Sequence, residues 1–395
     1  MSTKKIKENV YAVGVIDWDR RLFDELIPLP DGTTYNAYLI KGSEKIALLD
    51  TVDPPFASEL LNNLKELKVE RIDYVISHHG EQDHSGSIPE VLASYPMAKV
   101  VTNQKNKDLL KEHLLIADDK FIVVADHETL SLGDKTLEFI FAPWVHWPET
   151  MFTYLKEDNI LFTCDFLGSH LATSDLYAKE GPKVYAAAKR YYAEIMMPFR
   201  PLVTKHLEIV EKLNPSIVAT SHGPIYDQPK YILAAYAEWV SDAVKNEVIV
   251  PYVSMHGSTK VMVDYFVEKL MAQGIKVKPF NLTTMDLGDL AMELVDAATV
   301  VLGTPTVLAG PHPKAVYAAY LLNALRPKTK FVSLIGSFGW GGKTVEQIAG
   351  MITALKVEIL APVMVKGLPK EADYRELDRL VEDIVEKHKK GVSNG

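Results

Sequence analysis

The feature that most constrains the fold is a change of pattern near residue 247. From there onward, strand-like apolar runs alternate regularly with segments of helical periodicity. The strand-like runs are EVIVPYVS, KVKPFNL, TVVLGT, KFVSLIG and KVEILAP, and the helical segments include residues 287–297 and 371–388. Strands that alternate with helices in this way form parallel sheets with helices on both faces. The pattern predicts a doubly wound five-stranded parallel sheet over residues 247–395.

Residues 1–246 show a different pattern, in which many short apolar runs are separated by turns. The runs are NVYAVGVID, TYNAYLI, KIALLDT, DYVISHH, AKVVTN, KFIVVAD, LEFIFAP, NILFTCD and SIVATSH. Helical segments are fewer, such as PFASELLNNLKELKV and residues 184–213. Many strands with a few helices predict an α+β sandwich of the αββα type, with two sheets face to face and helices outside. The helical stretch YILAAYAEWVSDAV is predicted to connect the two domains.

Length, charge and cysteine usage exclude several classes of protein. No apolar run approaches the ~20 residues that span a bilayer, and the N-terminus lacks the apolar region of a signal peptide. A formal net charge of −9 argues against a nucleic-acid partner. The single cysteine, Cys164, excludes an intrachain disulfide and a four-cysteine metal site. We therefore expect a cytoplasmic protein without a membrane or nucleic-acid partner.

Potential metal ligands collect where apolar runs end. The segment SHHGEQDHSG follows the run DYVIS, and further candidates follow LEFIFAPWV, LFTC and SIVATS. The candidates are His79, Glu81, Asp83, His84, His146, Asp165 and His222. Isolated histidines are commonly surface or core residues, but buried charges in this number require partners or metals. The pattern predicts a metal site on one rim of the sandwich.

These residues carry a resemblance to a known family. The pattern His79-x-Glu81-x-Asp83-His84, followed by the other three candidates, resembles the metallo-β-lactamase-like domain of flavodiiron proteins. The segments GTTYNAYLI, HWPETMFTY, YYAEIMMPF and SHGPI are similar to family segments as well. Hydrolases of that fold usually carry histidine where this chain has Glu81. An added carboxylate suits iron better than a nitrogen-rich zinc site.

The resemblance implies a role for each candidate. One iron would be held by His79, Glu81 and His146, the other by Asp83, His84 and His222, and Asp165 would bridge them. His170 matches a family position that supports the ligands, and His78 stands where relatives commonly carry an amide. Strand alternation predicts that the side chain of Cys164 faces away from Asp165 and packs in the core.

The C-terminal half carries flavodoxin-like features in three loops that end strands. The predicted flavin-binding residues are Ser254, Met255, His256, Gly257, Ser258, Thr259, Thr304, Pro305, Thr306, Val307, Ser337, Phe338, Gly339, Trp340, Gly341 and Gly342. The first loop opens a helix and offers one phosphate cradle, which suits FMN better than FAD. Serine- and glycine-rich turns also end many strands that bind nothing. No GxGxxG fingerprint for a nicotinamide dinucleotide is present.

The resemblance implies an oxidoreductase that reduces dioxygen to water, nitric oxide to nitrous oxide, or both. Two irons and one FMN together hold the four electrons that dioxygen reduction requires. An external donor (rubredoxin, a reduced deazaflavin or a reductase) and a homodimer or dimer of dimers are implied too. Two alternatives stay open: a zinc hydrolase with an attached flavodoxin-like domain, and an electron-transfer module with a degenerate N-terminal scaffold.

Overall fold

The computed structural model describes residues 3–392 of the chain. The chain divides into two compact units, with the boundary between Val240 and Ser241. None of the helices in the described range has the length and the apolar character that crossing a bilayer requires.

The first unit contains strands and helices in a mixed order. Its strands are β1 (Lys4–Lys7), β2 (Val10–Ala12), β3 (Val15–Asp17), β4 (Leu22–Phe23), β5 (Ile27–Pro28), β6 (Thr33–Tyr35), β7 (Tyr38–Lys41), β8 (Ile46–Leu49), β9 (Tyr74–Ile76), β10 (Lys99–Thr102), β11 (Phe121–Val123), β12 (Thr129–Ser131), β13 (Thr136–Phe141), β14 (Met151–Leu155), β15 (Ile160–Cys164) and β16 (Ile217–Thr220). Its α-helices are α1 (Ala57–Glu66), α2 (Gln82–Ser85), α3 (Ile88–Ser94), α4 (Gln104–Leu114), α5 (Pro182–Tyr191), α6 (Arg200–Leu213) and α7 (Lys230–Val240).

Two sheets form the centre of this unit. One has the strand order β1-β2-β7-β8-β9-β10-β11, and the other has the order β12-β13-β14-β15-β16. Alternate apolar residues of both sheets share one buried cluster, to which Leu49 and Val101 contribute from one sheet and Phe139 and Phe162 from the other. The opposite face of the first sheet packs against α1, α3 and α4, and α6 contacts the second sheet where Phe152 meets His206. The predicted αββα sandwich is confirmed.

The parallel strand pairs of this sandwich determine where the candidate ligands lie. Strands β8, β9 and β10 run parallel to one another, and so do β15 and β16. The connections that leave their carboxyl ends therefore emerge at a common edge of each sheet. Six of the seven chelating residues predicted from the sequence follow β9, β15 and β16, and His146 lies between β13 and β14.

The second unit alternates strands and helices. Its strands are β17 (Lys245–Tyr252), β18 (Lys276–Asn281), β19 (Ala297–Val307), β20 (Gly310–Pro311), β21 (Phe331–Phe338), β22 (Glu358–Ile359) and β23 (Val363–Lys366). Its α-helices are α8 (Ser258–Ala272), α9 (Leu287–Leu294), α10 (Pro313–Leu325), α11 (Thr344–Met351) and α12 (Glu371–Gly391).

A parallel sheet with the order β18-β17-β19-β21-β22 forms the core of this unit, and β23 continues the edge beside β21. Helices α8 and α12 cover one face, where Phe266 and Leu380 are fully buried. Residues of α9, α10 and α11 surround a small apolar cavity against the other face. The predicted flavodoxin-like doubly wound sheet is confirmed.

Several element boundaries differ from the sequence prediction. The helix expected over residues 287–297 ends at Leu294, because β19 begins at Ala297. Strands β19 and β21 continue to Val307 and Phe338, so part of the second and third predicted loops is extended strand. The run KVEILAP forms only the short β22, and the chain pairs again at β23.

Candidate metal centre

The ligand candidates lie on four connections of the first unit. His79 lies three residues after the end of β9, Glu81 precedes the single turn of α2, and Asp83 and His84 lie in that turn. The hydroxyl and the backbone N–H of Thr51, next to the end of β8, both donate to the carbonyl oxygen of His84 at 2.7 Å. These bonds hold the short helix against the sheet.

The remaining three candidates come from the second sheet. His146 lies between β13 and β14, Asp165 follows β15 at once, and His222 comes two residues after β16. The Nδ1 atom of His222 donates to the carbonyl oxygen of Thr34 at 2.6 Å. Because Nδ1 is engaged there, Nε2 of His222 faces the other candidates.

The structure brings all seven side chains together in two groups. We call His79, Glu81 and His146 the first group. Nε2 of His79 lies 3.1 Å from Oε2 of Glu81, and Nε2 of His146 lies 3.3 Å from the same oxygen. The Oδ2 atom of Asp165 faces this group, at 3.5 Å from His79 and 3.3 Å from His146.

Asp83, His84 and His222 form the second group. Nε2 of His222 lies 3.1 Å from Oδ2 of Asp83, and Nε2 of His84 lies 3.3 Å from Oδ1 of Asp83. The Oδ1 atom of Asp165 faces this group, at 3.1 Å from His84 and 3.3 Å from His222. The two oxygens of Asp165 therefore point to different groups.

The donor atoms fit metal ions better than they fit one another. Within residues 3–392, both oxygens of Asp83 and Asp165 and both ring nitrogens of His84 are buried without a hydrogen-bond partner of good geometry. Burying such groups unpaired costs free energy. Donor atoms bound at about 2.1 Å to one metal lie about 3.0–3.4 Å from one another. The separations above are of that size, so each group fits one metal.

Neighbouring charges shift the pKa values of the histidines and carboxylates in the centre. Burial alone raises the pKa of Glu81, but the neighbouring histidines outweigh burial and hold that pKa well below its usual range. Burial lowers the pKa of His146, yet the carboxylates of Asp165 and Glu81 raise it to about 9. For His222, Asp165 and Asp83 likewise outweigh burial and raise the pKa to about 10. Without metal, protons on the imidazoles balance the carboxylates.

A cavity of about 300 Å³ opens beside the two groups. Glu81, His146 and Asp165 line it together with Asp24 and Tyr191. Burial raises the pKa of the Asp24 carboxyl to about 6, and the negative charge of Glu81 adds to the effect. The cavity gives a small molecule access to both groups.

Of the two further predicted residues, His170 lies beside the centre and His78 faces away from it. The ring of His170 lies 4.8 Å from that of His222, and its Nδ1 lies 2.8 Å from Oγ1 of Thr33. His78 points away from the groups, because its ring nitrogens contact Asp50 at 2.6 Å and Thr153 at 2.7 Å.

The prediction that Cys164 faces away from Asp165 is wrong. Its Sγ lies within 4.8 Å of a carboxylate oxygen of Asp165 and of a ring nitrogen of His84. A register shift between Phe162 and Cys164 and a φ of 51° at Cys164 interrupt the strand alternation. The thiol is buried as expected, and burial raises its pKa well above the usual range.

Sequence reasoning missed two residues that support the centre, Glu149 and Thr34. Oε1 of Glu149 accepts a hydrogen bond from Nδ1 of His79 at 2.7 Å. Glu149 and Thr34 lie in the segments HWPETMFTY and GTTYNAYLI, which carry part of the family resemblance. Those segments were the available signal, but no local pattern shows which distant side chain each residue meets.

The predicted flavin loops converge in the second unit. The Ser337 hydroxyl, at the end of β21, lies 2.9 Å from that of Ser258 and 3.0 Å from that of Thr259, which begin α8. The hydroxyls of Thr306 and Thr344 are 2.8 Å apart, which joins the end of β19 to the start of α11. All three loops therefore meet at the carboxyl edge of the sheet.

The surface around these hydroxyls is open. The side chain of Trp340 is 78% exposed and that of Met255 is 50% exposed. Apart from the glycine and its chain neighbours, no heavy atom of residues 3–392 lies within 4 Å of a Cβ added at Gly257, Gly339 or Gly341. Hydroxyls, the N-terminus of a long helix, open backbone and exposed apolar side chains fit a phosphorylated flat ring.

Comparisons with known proteins agree with both units. Residues 33–223 match the family described as ODP family beta lactamase. A nitric oxide reductase of Moorella thermoacetica is 37% identical over 363 residues, 90% of this chain and 91% of that protein. A flavo-diiron protein of Clostridium acetobutylicum is 33% identical over 401 residues, 97% of this chain and 99% of that protein.

A solved structure matches almost the whole chain. Rubredoxin oxygen:oxidoreductase from Desulfovibrio gigas superposes with a TM-score of 0.94 at 30% sequence identity, covering 98% of this chain and 99% of that chain. The resemblance inferred from the ligand pattern is confirmed. This chain belongs to the flavodiiron proteins.

Proposed function

We propose that this protein is an oxidoreductase that reduces dioxygen to water, nitric oxide to nitrous oxide, or both, at a two-iron site supplied with electrons by FMN. The convergence of seven ligand-type side chains, five of them buried and two partly buried, with Asp165 facing both groups, carries the proposal. Membership of the flavodiiron family supports the reaction type. The metal site is assigned to residues 1–246 and the FMN site to residues 247–395.

Each group would hold one iron, and Asp165 would bridge them. The first group offers two imidazoles and the Glu81 carboxylate, and the second offers two imidazoles and the Asp83 carboxylate. Mixed sets of imidazoles and carboxylates of this kind suit iron. Glu81 argues against the alternative of a zinc hydrolase, whose sites are richer in nitrogen.

The protein shapes the space in which the reaction occurs. When bound, the irons would bind and activate the diatomic substrate, and FMN would deliver electrons for its reduction. The rings of Phe23 and Tyr191 pack against His170 and restrict the cavity to small molecules. The pKa of His170 is held well below its usual range by burial, so its ring is neutral beside His222.

The proposed FMN site is the carboxyl edge of the parallel sheet. The N-terminus of α8 and the hydroxyls of Ser258 and Thr259 would bind the phosphate. The loop after β21 would contact the ring, with Trp340 free to pack against it. His170 would support His222 rather than touch the substrate.

The remaining proposals concern partners and location. A separate donor (rubredoxin, a reduced deazaflavin or a reductase) would reduce the flavin, since the lone cysteine Cys164 cannot build a rubredoxin-type iron centre. The working unit would be a homodimer, alone or as a dimer of dimers, in which the FMN of one subunit serves the irons of the other. A buried free thiol fits a reducing cytoplasm.

Metal affinity should depend on pH in a defined direction. His146 and His222, one in each group, have pKa values of about 9 and about 10 in the metal-free protein, so both are protonated at neutral pH. A metal must displace those protons. Affinity for each ferrous ion should therefore fall at least about tenfold per unit as pH falls below about 9. Anaerobic chelator competition at several pH values measures this slope, and a flat profile would show neutral imidazoles instead.

Replacing Asp165 with alanine should remove both metals, because each group loses a ligand. Glu81→Ala is the matched comparison and should lose only the metal of the first group. Elemental analysis of anaerobically prepared protein should show two irons per wild-type chain, one in Glu81→Ala and almost none in Asp165→Ala. Loss of a single metal from Asp165→Ala would refute the bridge, and two zincs with hydrolase activity would refute the iron assignment.

Ser337→Ala should weaken FMN binding by about 3- to 10-fold, because one hydroxyl that organises Ser258 and Thr259 is lost. Ser333→Ala is the control, since Ser333 lies on the same strand but donates to the carbonyl oxygen of Leu360. Flavin fluorescence titration of the apoprotein measures both affinities. Equal affinities in the two variants, or release of a flavin other than FMN on acid treatment, would contradict the site.

Mixed dimers test whether the cofactors pair between subunits. One chain would carry Glu81→Ala, and the other would carry changes at Thr306 and Ser337 that abolish FMN binding. Random exchange at equal concentrations should restore about a quarter of wild-type activity, because half the dimers are mixed and each mixed dimer has one intact unit. Oxygen and nitric oxide consumption are each measured. No recovery after verified exchange would place both cofactors within one chain.

A further inference from the structure

Glu149 is a buried carboxylate that lies beside the metal centre without belonging to either group. Its side chain is fully buried. Oε1 accepts two hydrogen bonds, from Nδ1 of His79 at 2.7 Å and from the backbone N–H of Gly80 at 3.0 Å. In the described part of the chain, Oε2 has no hydrogen-bond partner. Burying a carboxylate in this position costs free energy. Its contact with His79 is the interaction through which it would act on the metal centre.

The surroundings of Glu149 hold it in place. Nδ2 of Asn103 donates to its carbonyl oxygen at 2.5 Å. Glu149 lies three residues after His146, so one connection supplies both a first-group ligand and the support for another. A Cβ at Gly80 would lie 3.4 Å from Oε1 and 2.8 Å from Oδ1 of Asn106, so glycine permits the close approach of its N–H.

The contact determines how His79 can act. A carboxylate oxygen that accepts the Gly80 N–H can only accept from His79 as well, so Nδ1 of His79 carries the hydrogen. Nε2 is then unprotonated when it binds a metal, and it already faces Glu81 and Asp165. An anionic partner that accepts the Nδ1 hydrogen also makes Nε2 a stronger electron-pair donor to a metal.

The second group lacks an equivalent partner. Nδ1 of His222 meets a neutral acceptor, the carbonyl oxygen of Thr34. Among residues 3–392, the ring nitrogens of His84 have no hydrogen-bond partner. The two metal positions therefore differ in the charge that supports their histidines.

We propose that Glu149 is a positioning residue that fixes the tautomer of His79 and makes the first group bind its metal more tightly than the second group does. The proposal rests on the proposed two-metal function. It predicts that a chelator removes the second-group metal first from the wild-type protein. It also predicts that the two metals respond differently to changes at position 149.

The test uses Glu149→Gln, which keeps the size of the side chain but removes its charge, and Glu149→Met, which removes the acceptor as well. Glu157→Gln is the matched control, because Glu157 also accepts a backbone N–H, from Thr136 at 2.7 Å, but has no contact with a ligand histidine among its described contacts. Each full-length variant is loaded with ⁵⁷Fe anaerobically. Chelator competition, Mössbauer spectra and thermal unfolding are then compared with the wild type.

Glu149→Gln should weaken the binding of one of the two irons by about 10- to 100-fold and leave the affinity for the other unchanged. One of the two Mössbauer doublets should shift, and the melting temperature of the metal-free protein should stay close to wild type. Glu149→Met should lower the affinity for the same iron further. Glu157→Gln should match the wild type in every measurement.

Two results would overturn the inference while leaving the proposed function intact. In one, Glu149→Gln binds two irons with wild-type affinities and spectra. In the other, the affinities for both irons fall equally and the melting temperature falls, which would make Glu149 a purely structural residue. A wild-type protein that binds no iron would refute the proposed function itself, and the inference with it.

Discussion

The gathering of seven ionisable side chains in one place, five of them buried and two partly buried, is the constraint on which the site depends. Asp165 lies at its centre, with one oxygen toward each group of ligands. In the absence of metal, the carboxylates raise the pKa values of His146 and His222 to about 9 and about 10, so the cluster holds its own counter-ions as protons. Metal ions can replace those protons without a large change in charge. This exchange explains how so polar a cluster can persist inside a folded sandwich.

The sandwich supplies the geometry that this exchange needs. Each ligand-bearing connection leaves the end of a strand whose residues are buried in the shared core, as Ile76 and Phe162 are. A rigid core fixes the starting point of every connection, so the short turn of α2 and the segment around His146 have little freedom. The Nδ1 atoms of His79 and His222 donate to Glu149 and to the Thr34 carbonyl oxygen, and these bonds set which nitrogen faces the metal.

The second unit uses neutral groups where the first uses charges. Its loops meet through hydroxyl pairs, Ser337 with Ser258 and Thr306 with Thr344, at the open edge of a parallel sheet. Hydroxyls and backbone amides can bind a phosphate without the desolvation cost of buried charged side chains. In the proposed function, the two units thus divide the chemistry between a charged metal centre and a neutral flavin cradle.

The sequence by itself determined the fold class, the family and the candidate ligands, because these follow from local patterns. Strand and helix periodicity is local, and so is the placement of His79, Asp165 and His222 at the ends of apolar runs. The tertiary structure alone decided which groups the ligands form and what supports them. Glu149 meets His79 across 70 residues of chain, and His222 meets Thr34 across 188. Such pairings depend on how two sheets stack, which no local period encodes. At Cys164 the local pattern itself failed, because a φ of 51° breaks the strand alternation from which the direction of its side chain was predicted.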